Sequence, residues 1–243
     1  MVFAILAAGE GSRLADEGLD TPKPLLRLKG KPMIDRLVSI FMKAGAEKIV
    51  IIANDIHSQT KEHIMTMAEQ GLPLELIVKT TPSSMHSFFE IHQHIGQGKF
   101  CLTTVDTIFK EQEFYGFIDR FKASEDNGMM AVTDFVDDEK PLYISHDQDG
   151  YITGFHDSLR QFNECGFEKE KNVVCDVISG GIYCLDDSCF PTLRWCMANG
   201  MSRMRNFQRQ LIADGLRLKT YKFSKILDVD HVDDIAKAEQ FLA

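Results

Sequence analysis

Short, wholly apolar runs separated by helix-length amphipathic segments constrain this chain more than any other feature. Val2 to Leu6 reads as a buried strand, and after a glycine-containing turn Ile34, Leu37, Val38, Phe41 and Met42 recur at the spacing of one helix face. Lys48 to Ala53 is a second strand run, Ile56 to Ala68 a helix, Leu74 to Lys79 a third strand, Ser87 to Ile95 a helix and Lys99 to Thr104 a fourth strand. A strand that is apolar on both sides has to be covered on both, and parallel neighbours need a crossover helix. The pattern predicts an α/β fold, a Rossmann-like three-layer sandwich with a mixed, mainly parallel sheet. Right-handed crossovers would then bring the loops that follow the strands to one edge, where open α/β sheets bind ligands.

After Asp106 the rhythm changes. Phe114, Phe117, Ile118 and Phe121 mark another helix, but Met129 to Phe135, Leu142 to Ser145 and Tyr151 to Phe155 are strand-like, with Asp147 to Gly150 as a hairpin turn. A few antiparallel additions to the parallel core follow. The polar stretch Arg160 to Lys171 is expected to be a mobile surface loop or a short helix near the rim of the site. Val173 to Leu185 is a strand, Cys189 to Met197 and Met204 to Asp214 are helices, Leu218 to Tyr221 is a late strand, and Val232 to Leu242 is an amphipathic terminal helix. With no internal repeat and no linker rich in Pro, Gly or Ser, residues 1–243 are expected to form a single domain.

A formal net charge of -9 argues against nucleic acid or an anionic membrane as partner, because both select basic surfaces. Cations for a polyanionic substrate must therefore be concentrated locally. The six cysteines, at 101, 165, 175, 184, 189 and 196, include no CxxC pair, which fits reduced structural thiols better than a zinc site or a disulfide framework. The apolar start runs straight into a glycine loop, unlike a signal peptide, and no stretch of about 20 apolar residues occurs. A cytoplasmic enzyme is expected; the pattern does not set its oligomeric state.

The chemistry is concentrated where strands end. Leu6, Ala7, Ala8, Gly9, Gly11 and Ser12 leave the first strand as small residues, a form that lets main-chain N–H groups turn toward phosphate oxygens. Arg13 adds a permanently charged fork placed to reach the β- and γ-phosphates of an NTP. A dinucleotide fingerprint fails because Leu14 stands at its third glycine, and the Walker pattern is absent. In Thr21-Pro22-Lys23-Pro24, two fixed torsions hold one lysine in a rigid presentation suited to the charge that builds on an α-phosphate.

Asp106 closes an apolar strand at the ligand-bearing edge, and a carboxylate buried there calls for a cation. Asp228 and Asp230, two apart in the short apolar run from Ile226, would share a face if that run stays extended. Asp106 with Asp228 or Asp230 is a sensible ligand set for Mg2+. Alternatively, Asp230 caps the last helix and Asp233 or Asp234 answers its dipole. Ser84 and Ser87, at the start of a helix, are candidates for ribose or phosphate oxygens, or plain N-caps.

The run LAAGEGSRL, then TPKPLL, then Gly30-Lys31-Pro32-Met33-Ile34 resembles the signature of the sugar-nucleotide pyrophosphorylase superfamily over nearly the whole chain. The resemblance implies a nucleotidyltransferase. Its glycine loop would bind the NTP phosphates, Arg13 the pyrophosphate leaving group and Lys23 the reacting phosphates, while Asp106 and Asp228 or Asp230 would hold magnesium. The acceptor would be a sugar 1-phosphate or a similar phosphorylated molecule such as phosphocholine. Ser179-Gly180-Gly181-Ile182-Tyr183 resembles the family's segment that lines the acceptor, which makes Gly180 and Tyr183 acceptor-binding candidates.

The chain departs from that pattern in three places. Val105 precedes Asp106 where the family has Gly, Pro82 to Ser87 replaces a Gly-Thr-Ala segment, and Phe155 to Ser158 stands where a Glu-Lys-Pro triplet binds the acceptor phosphate. Lys222, Lys225 or Arg203 is the expected substitute cation, and Glu139-Lys140-Pro141, before a different strand, is taken as coincidence. Two rival readings are a noncatalytic nucleotide-sensing module and a glycosyltransferase that uses nucleotide sugars. The first would favour loss of Arg13, Lys23 or Asp106, and the second an Asp-x-Asp after the central strand, where Asp106-Thr107-Ile108 stands.

Overall fold

The computed structural model describes residues 1–137, 140–164 and 172–243. Strand β1 (Val2–Ala7) leads through the glycine turn into the short helix α1 (Ser12–Asp16), a 3-10 turn at Lys23–Leu25, the small hairpin β2 (Arg27–Leu28) and β3 (Lys31–Pro32), and helix α2 (Met33–Lys43). Then come β4 (Lys48–Ala53), α3 (Ser58–Glu69), β5 (Leu74–Val78), α4 (Ser84–Ile95) and β6 (Phe100–Thr104). Past Asp106 the order is β7 (Thr107–Ile108), α5 (Glu111–Lys122), β8 (Gly128–Thr133), β9 (Tyr143–His146), β10 (Ile152–His156), α6 (Leu159–Glu164) and β11 (Val174–Leu185). The chain continues with α7 (Phe190–Ala198), α8 (Met204–Ala213), β12 (Leu218–Lys222), β13 (Leu227–Asp228) and α9 (Val232–Phe241).

The sheet is mixed and mainly parallel. β1 lies between β4 and β6, parallel to both, and β5 extends the sheet beyond β4. β11 runs antiparallel between β6 and β8, and β12 joins β8 in parallel. The β9/β10 hairpin attaches to the first half of β11. These are the expected antiparallel additions. Part of the Arg160 to Lys171 expectation is met by helix α6; residues 165–171 lie outside the described residues.

Strand geometry explains the layers. Successive β1 side chains point to opposite faces, and Phe3, Ile5 and Ala7 join one core with α2 and α5 while Ala4 and Leu6 join the other with α4, α7 and α8. Phe3, Phe41 and Phe114 meet on the first face, with centroids 4.7 Å apart for Phe3–Phe41 and 5.5 Å for Phe41–Phe114. The second face carries Phe88, Phe100 and Phe190. Parallel strands covered this way put their C-terminal ends on one edge, and the glycine loop, the segment after β5 and Asp106 all emerge there.

One sequence expectation fails here. Strand β13 holds only Leu227 and Asp228, which pair antiparallel with Ile108 and Thr107 of β7, so extended pairing ends before Asp230. Val229 N–H instead donates to the Asp106 carbonyl, 3.2 Å away, and the chain turns into α9. Nor is Asp230 the cap of that helix: the Asp234 carboxylate accepts from the backbone N–H groups of Asp230 and His231, at 3.2 and 2.9 Å. Cys101, Cys175, Cys184, Cys189 and Cys196 are free, and burial pushes the Cys184 and Cys189 thiols up, which keeps them protonated.

Candidate active site

The first turn is built for close approach. Gly11 sits at φ 67°, in the left-handed region that glycine enters without strain, and caps α1 at its N-terminus. A Cβ at Gly11 would stand 3.3 Å from the Lys23 Cβ, whereas one at Gly9 would meet nothing within 4 Å. Asn54, buried just past β4, donates from Nδ2 to the Gly9 carbonyl at 2.9 Å and so anchors the loop. Nothing in the sequence singled out Asn54; its only signal is a polar residue directly after an apolar strand.

Lys23 opens the 3-10 turn, preceded by Pro22 and followed by the buried Pro24. Its ammonium donates to Asp106 Oδ2 and, at 2.7 Å, to Asp230 Oδ1. Arg13 Nη1 donates to Asp230 Oδ2 at 2.8 Å. Four side chains from positions 13, 23, 106 and 230 thus close one charge-balanced cluster. The Lys23 side chain is only 12% exposed and that of Asp106 18%, against 52% for Arg13, so the lysine–carboxylate contact is the dry part of the cluster.

Burial, the largest influence on either group, disfavours both charges; attraction outweighs it on both sides. The Asp106 carboxyl is held below the ordinary carboxylate value by the Lys23 charge and its hydrogen bond, and the Lys23 ammonium is held above its ordinary value by Asp106 and Asp230. Asp106 Oδ1 is buried and accepts no hydrogen bond. A hard cation bound by Asp106 and Asp230 is the kind of partner such an oxygen lacks, so the residues present fit magnesium.

A cavity of about 540 Å³ opens over this cluster. Leu6, Ala7, Ala8, Gly9, Gly11 and Ser12 form one wall, together with Glu10 and Leu14. Ser84 and Ser87 stand opposite, joined by Thr81, Pro82 and Ser83. Ser83, rather than Ser84 or Ser87, is the N-cap of α4, and Ser87 is buried with its hydroxyl 2.5 Å from that of Thr81. The hydroxyl-rich run after β5 was the available signal for Thr81 and Ser83.

A second cavity of about 260 Å³ shares Arg13 and Asp230 with the first. Asp228 and Gly180 line it, with Ser179, Ile178, Ile226 and Phe135. The two carboxylates of the terminal segment are thereby separated in place: Asp230 reaches Lys23 and Arg13, while Asp228 lines the second cavity. A Cβ at Gly180 would lie 2.2 Å from Ile226 Cδ1, so the space this glycine leaves is taken by Ile226.

Tyr183 departs from expectation, since it lines neither cavity. Three positions along a strand from Gly180, it points to the other face, where its ring packs against the α4, α7 and α8 core and burial raises its phenol to about 12. The substitute cations also differ. Lys222 pairs with Asp134 at 2.7 Å, Lys225 lies over the Phe135 ring at 4.0 Å, and neither they nor Arg203 line the second cavity. Lys140, dismissed as coincidence, does line it, and so does Lys237 of α9. At the displaced triplet, Asp157 instead pairs with Arg205 and Arg209, and buried His156 meets the Ser145 hydroxyl at 2.9 Å.

A family model for nucleotidyl transferase matches residues 3–243. The chain belongs to the nucleotidyl transferase family. Among its relatives, a 2-aminoethylphosphonate cytidylyltransferase of Lancefieldella rimae is 25% identical over 115 residues, 46% of this chain and 45% of that protein. A glucose-1-phosphate thymidylyltransferase of Neisseria gonorrhoeae is 33% identical over 112 residues, 45% of this chain and 39% of that protein. The alignments therefore span less than half of each of these curated relatives. The fold is that of the inositol-1-phosphate CTP transferase from T. maritima, with a TM-score of 0.78 at 16% identity, covering 98% of this chain and 94% of the other. A putative glucose-1-phosphate thymidylyltransferase from Bacillus anthracis superposes with a TM-score of 0.80 at 19% identity, covering 99% and 95%. This likeness places the chain among nucleotide-diphospho-sugar transferase folds. Among the described residues no helix is long and apolar enough to cross a membrane.

Proposed function

We propose that the protein transfers a nucleoside monophosphate from an NTP to a phosphorylated or phosphonate small molecule, releasing pyrophosphate, as one domain in the cytoplasm. The observation that carries this reading is the meeting of Arg13, Lys23, Asp106 and Asp230 at the mouth of a glycine-walled cavity. Backbone N–H groups of the first turn would take the phosphate oxygens, with the base and ribose toward Thr81, Ser84 and Ser87. The second cavity would hold the acceptor, because the wall it shares with the first is where an acceptor oxygen can face an α-phosphate.

In this reading an acceptor phosphate or phosphonate oxygen attacks the α-phosphorus in line, and the bond to the β-phosphate bridging oxygen breaks as pyrophosphate departs. No protein nucleophile is needed; positioning and fixed charge do the work. Lys23 would face the charge gathering on the α-phosphate, and Arg13 the leaving pyrophosphate. Asp106 and Asp230 would hold Mg2+, which when bound supplies Lewis-acid charge to the phosphates.

Pyrophosphate release across a matrix of NTPs and acceptors, with and without magnesium, tests the proposal. The expected result is release that requires one NTP, one acceptor class and the metal together. No release with any pair, alongside ordinary nucleotide binding, would indicate a sensing module; transfer from a nucleotide sugar to an alcohol would indicate a glycosyltransferase.

A further inference from the structure

The cluster at the cavity mouth is already saturated. Of the four carboxylate oxygens of Asp106 and Asp230, three accept from Lys23 or Arg13, and the fourth, Asp106 Oδ1, is buried without a hydrogen bond. Two cations face two carboxylates, so the four side chains balance one another's charge. A bare divalent cation entering here has to displace Lys23 from a contact that is 12% and 18% exposed, and it leaves excess positive charge in a partly dry site.

We infer that Lys23 is the resident counter-ion of the metal position, and that the divalent cation enters only with the triphosphate, as the phosphates draw Lys23 and Arg13 off the two carboxylates. This inference rests on the proposed nucleotidyl transfer. The exchange keeps every charge matched. Phosphate oxygens take the ammonium and guanidinium, and the freed carboxylate oxygens, including Asp106 Oδ1, take the metal. Pro22 and Pro24 fix the backbone on either side of Lys23, so the swing belongs to its four-carbon stem. Arg13, half exposed, follows at little cost. Metal and nucleotide affinity must then be coupled, each raising the other by the same factor.

The test is Mn2+ binding to nucleotide-free protein, read from the electron paramagnetic resonance signal of free Mn2+, for wild type, Lys23→Met and Lys23→Arg. Removing the ammonium leaves two carboxylates in want of a cation, so Lys23→Met is expected to bind Mn2+ at least about tenfold more tightly than wild type. Lys23→Arg should stay weak, and Asp230→Asn added to Lys23→Met should cancel the gain. Mn2+ should also raise the melting temperature of Lys23→Met more than that of wild type. If Lys23→Met does not fold, Lys23→Gln, which also lacks the charge, answers the same question. Equal or weaker Mn2+ binding in the neutral variants overturns the inference. Failure of wild type to take up Mn2+ even with NTP present would instead count against the proposed metal-dependent transfer.

Discussion

Lys23 contacts both Asp106 and Asp230, and its replacement separates chemistry from binding. Lys23→Met is expected to lower kcat by about 10²–10³, the usual loss when one donor to developing charge is removed, with a smaller change in KM for the NTP; steady-state kinetics at saturating acceptor would check it. Asp106 adds a pH signature. Its folded value lies below the ordinary 3.8, so its contribution to stability is present above that value and fades as pH falls through the folded value. Urea denaturation midpoints should therefore carry an acid-side decline below about pH 4, and Asp106→Asn should flatten it. The meeting of Arg13, Lys23 and Asp106 at one edge was legible in the sequence from their positions at a strand end or between prolines. Asp230 could not be told from Asp228, since the choice depends on where β13 stops, and that is set by pairing with Thr107 and Ile108 far away in the chain.

Elements were more legible than their ends. The apolar runs that become β1, β4 and β6 are read directly because they are too short for a buried helix and suit a strand covered on both faces, and the helix spacing of α2 and α5 survives in the buried stripes Ile34, Leu37, Phe41 and Phe114, Phe117, Phe121. The β11 register was less visible. Pairing with β8 shifts between Ser179 and Tyr183, where Gly181 takes φ 72°, and Gly180 and Tyr183 end on opposite faces. Gly180 lines a cavity, yet its missing Cβ chiefly makes room for Ile226. Gly180→Ala is expected to cost about 1–3 kcal/mol as overpacking, and Gly180→Ala with Ile226→Val, which lacks the clashing Cδ1, should recover most of it. Urea denaturation of the two single variants and the double variant measures this coupling directly.

At the scale of the molecule, the three-layer arrangement followed from pattern alone, because parallel strands, crossover helices and a shared ligand edge imply one another. Which distant loops meet at that edge did not, and the division into two adjoining cavities that share Arg13 and Asp230 came only from the folded chain. The aromatic stack of Phe3, Phe41 and Phe114 ties β1 to α2 and α5 beneath the site. Phe114→Ala, at a fully buried position, should destabilise the protein by about 3–5 kcal/mol in a urea titration.

The convergence of four distant side chains on one nucleotide is tested most directly by a crystal structure with Mn2+ and an α,β-methylene analogue of the NTP selected by the pyrophosphate assay. The expected map has an anomalous peak between Asp106 and Asp230, with phosphate oxygens against the Gly9 to Ser12 turn, Arg13 and Lys23. Well-ordered nucleotide elsewhere, with the Lys23 contacts to Asp106 and Asp230 intact and no peak between them, would contradict it.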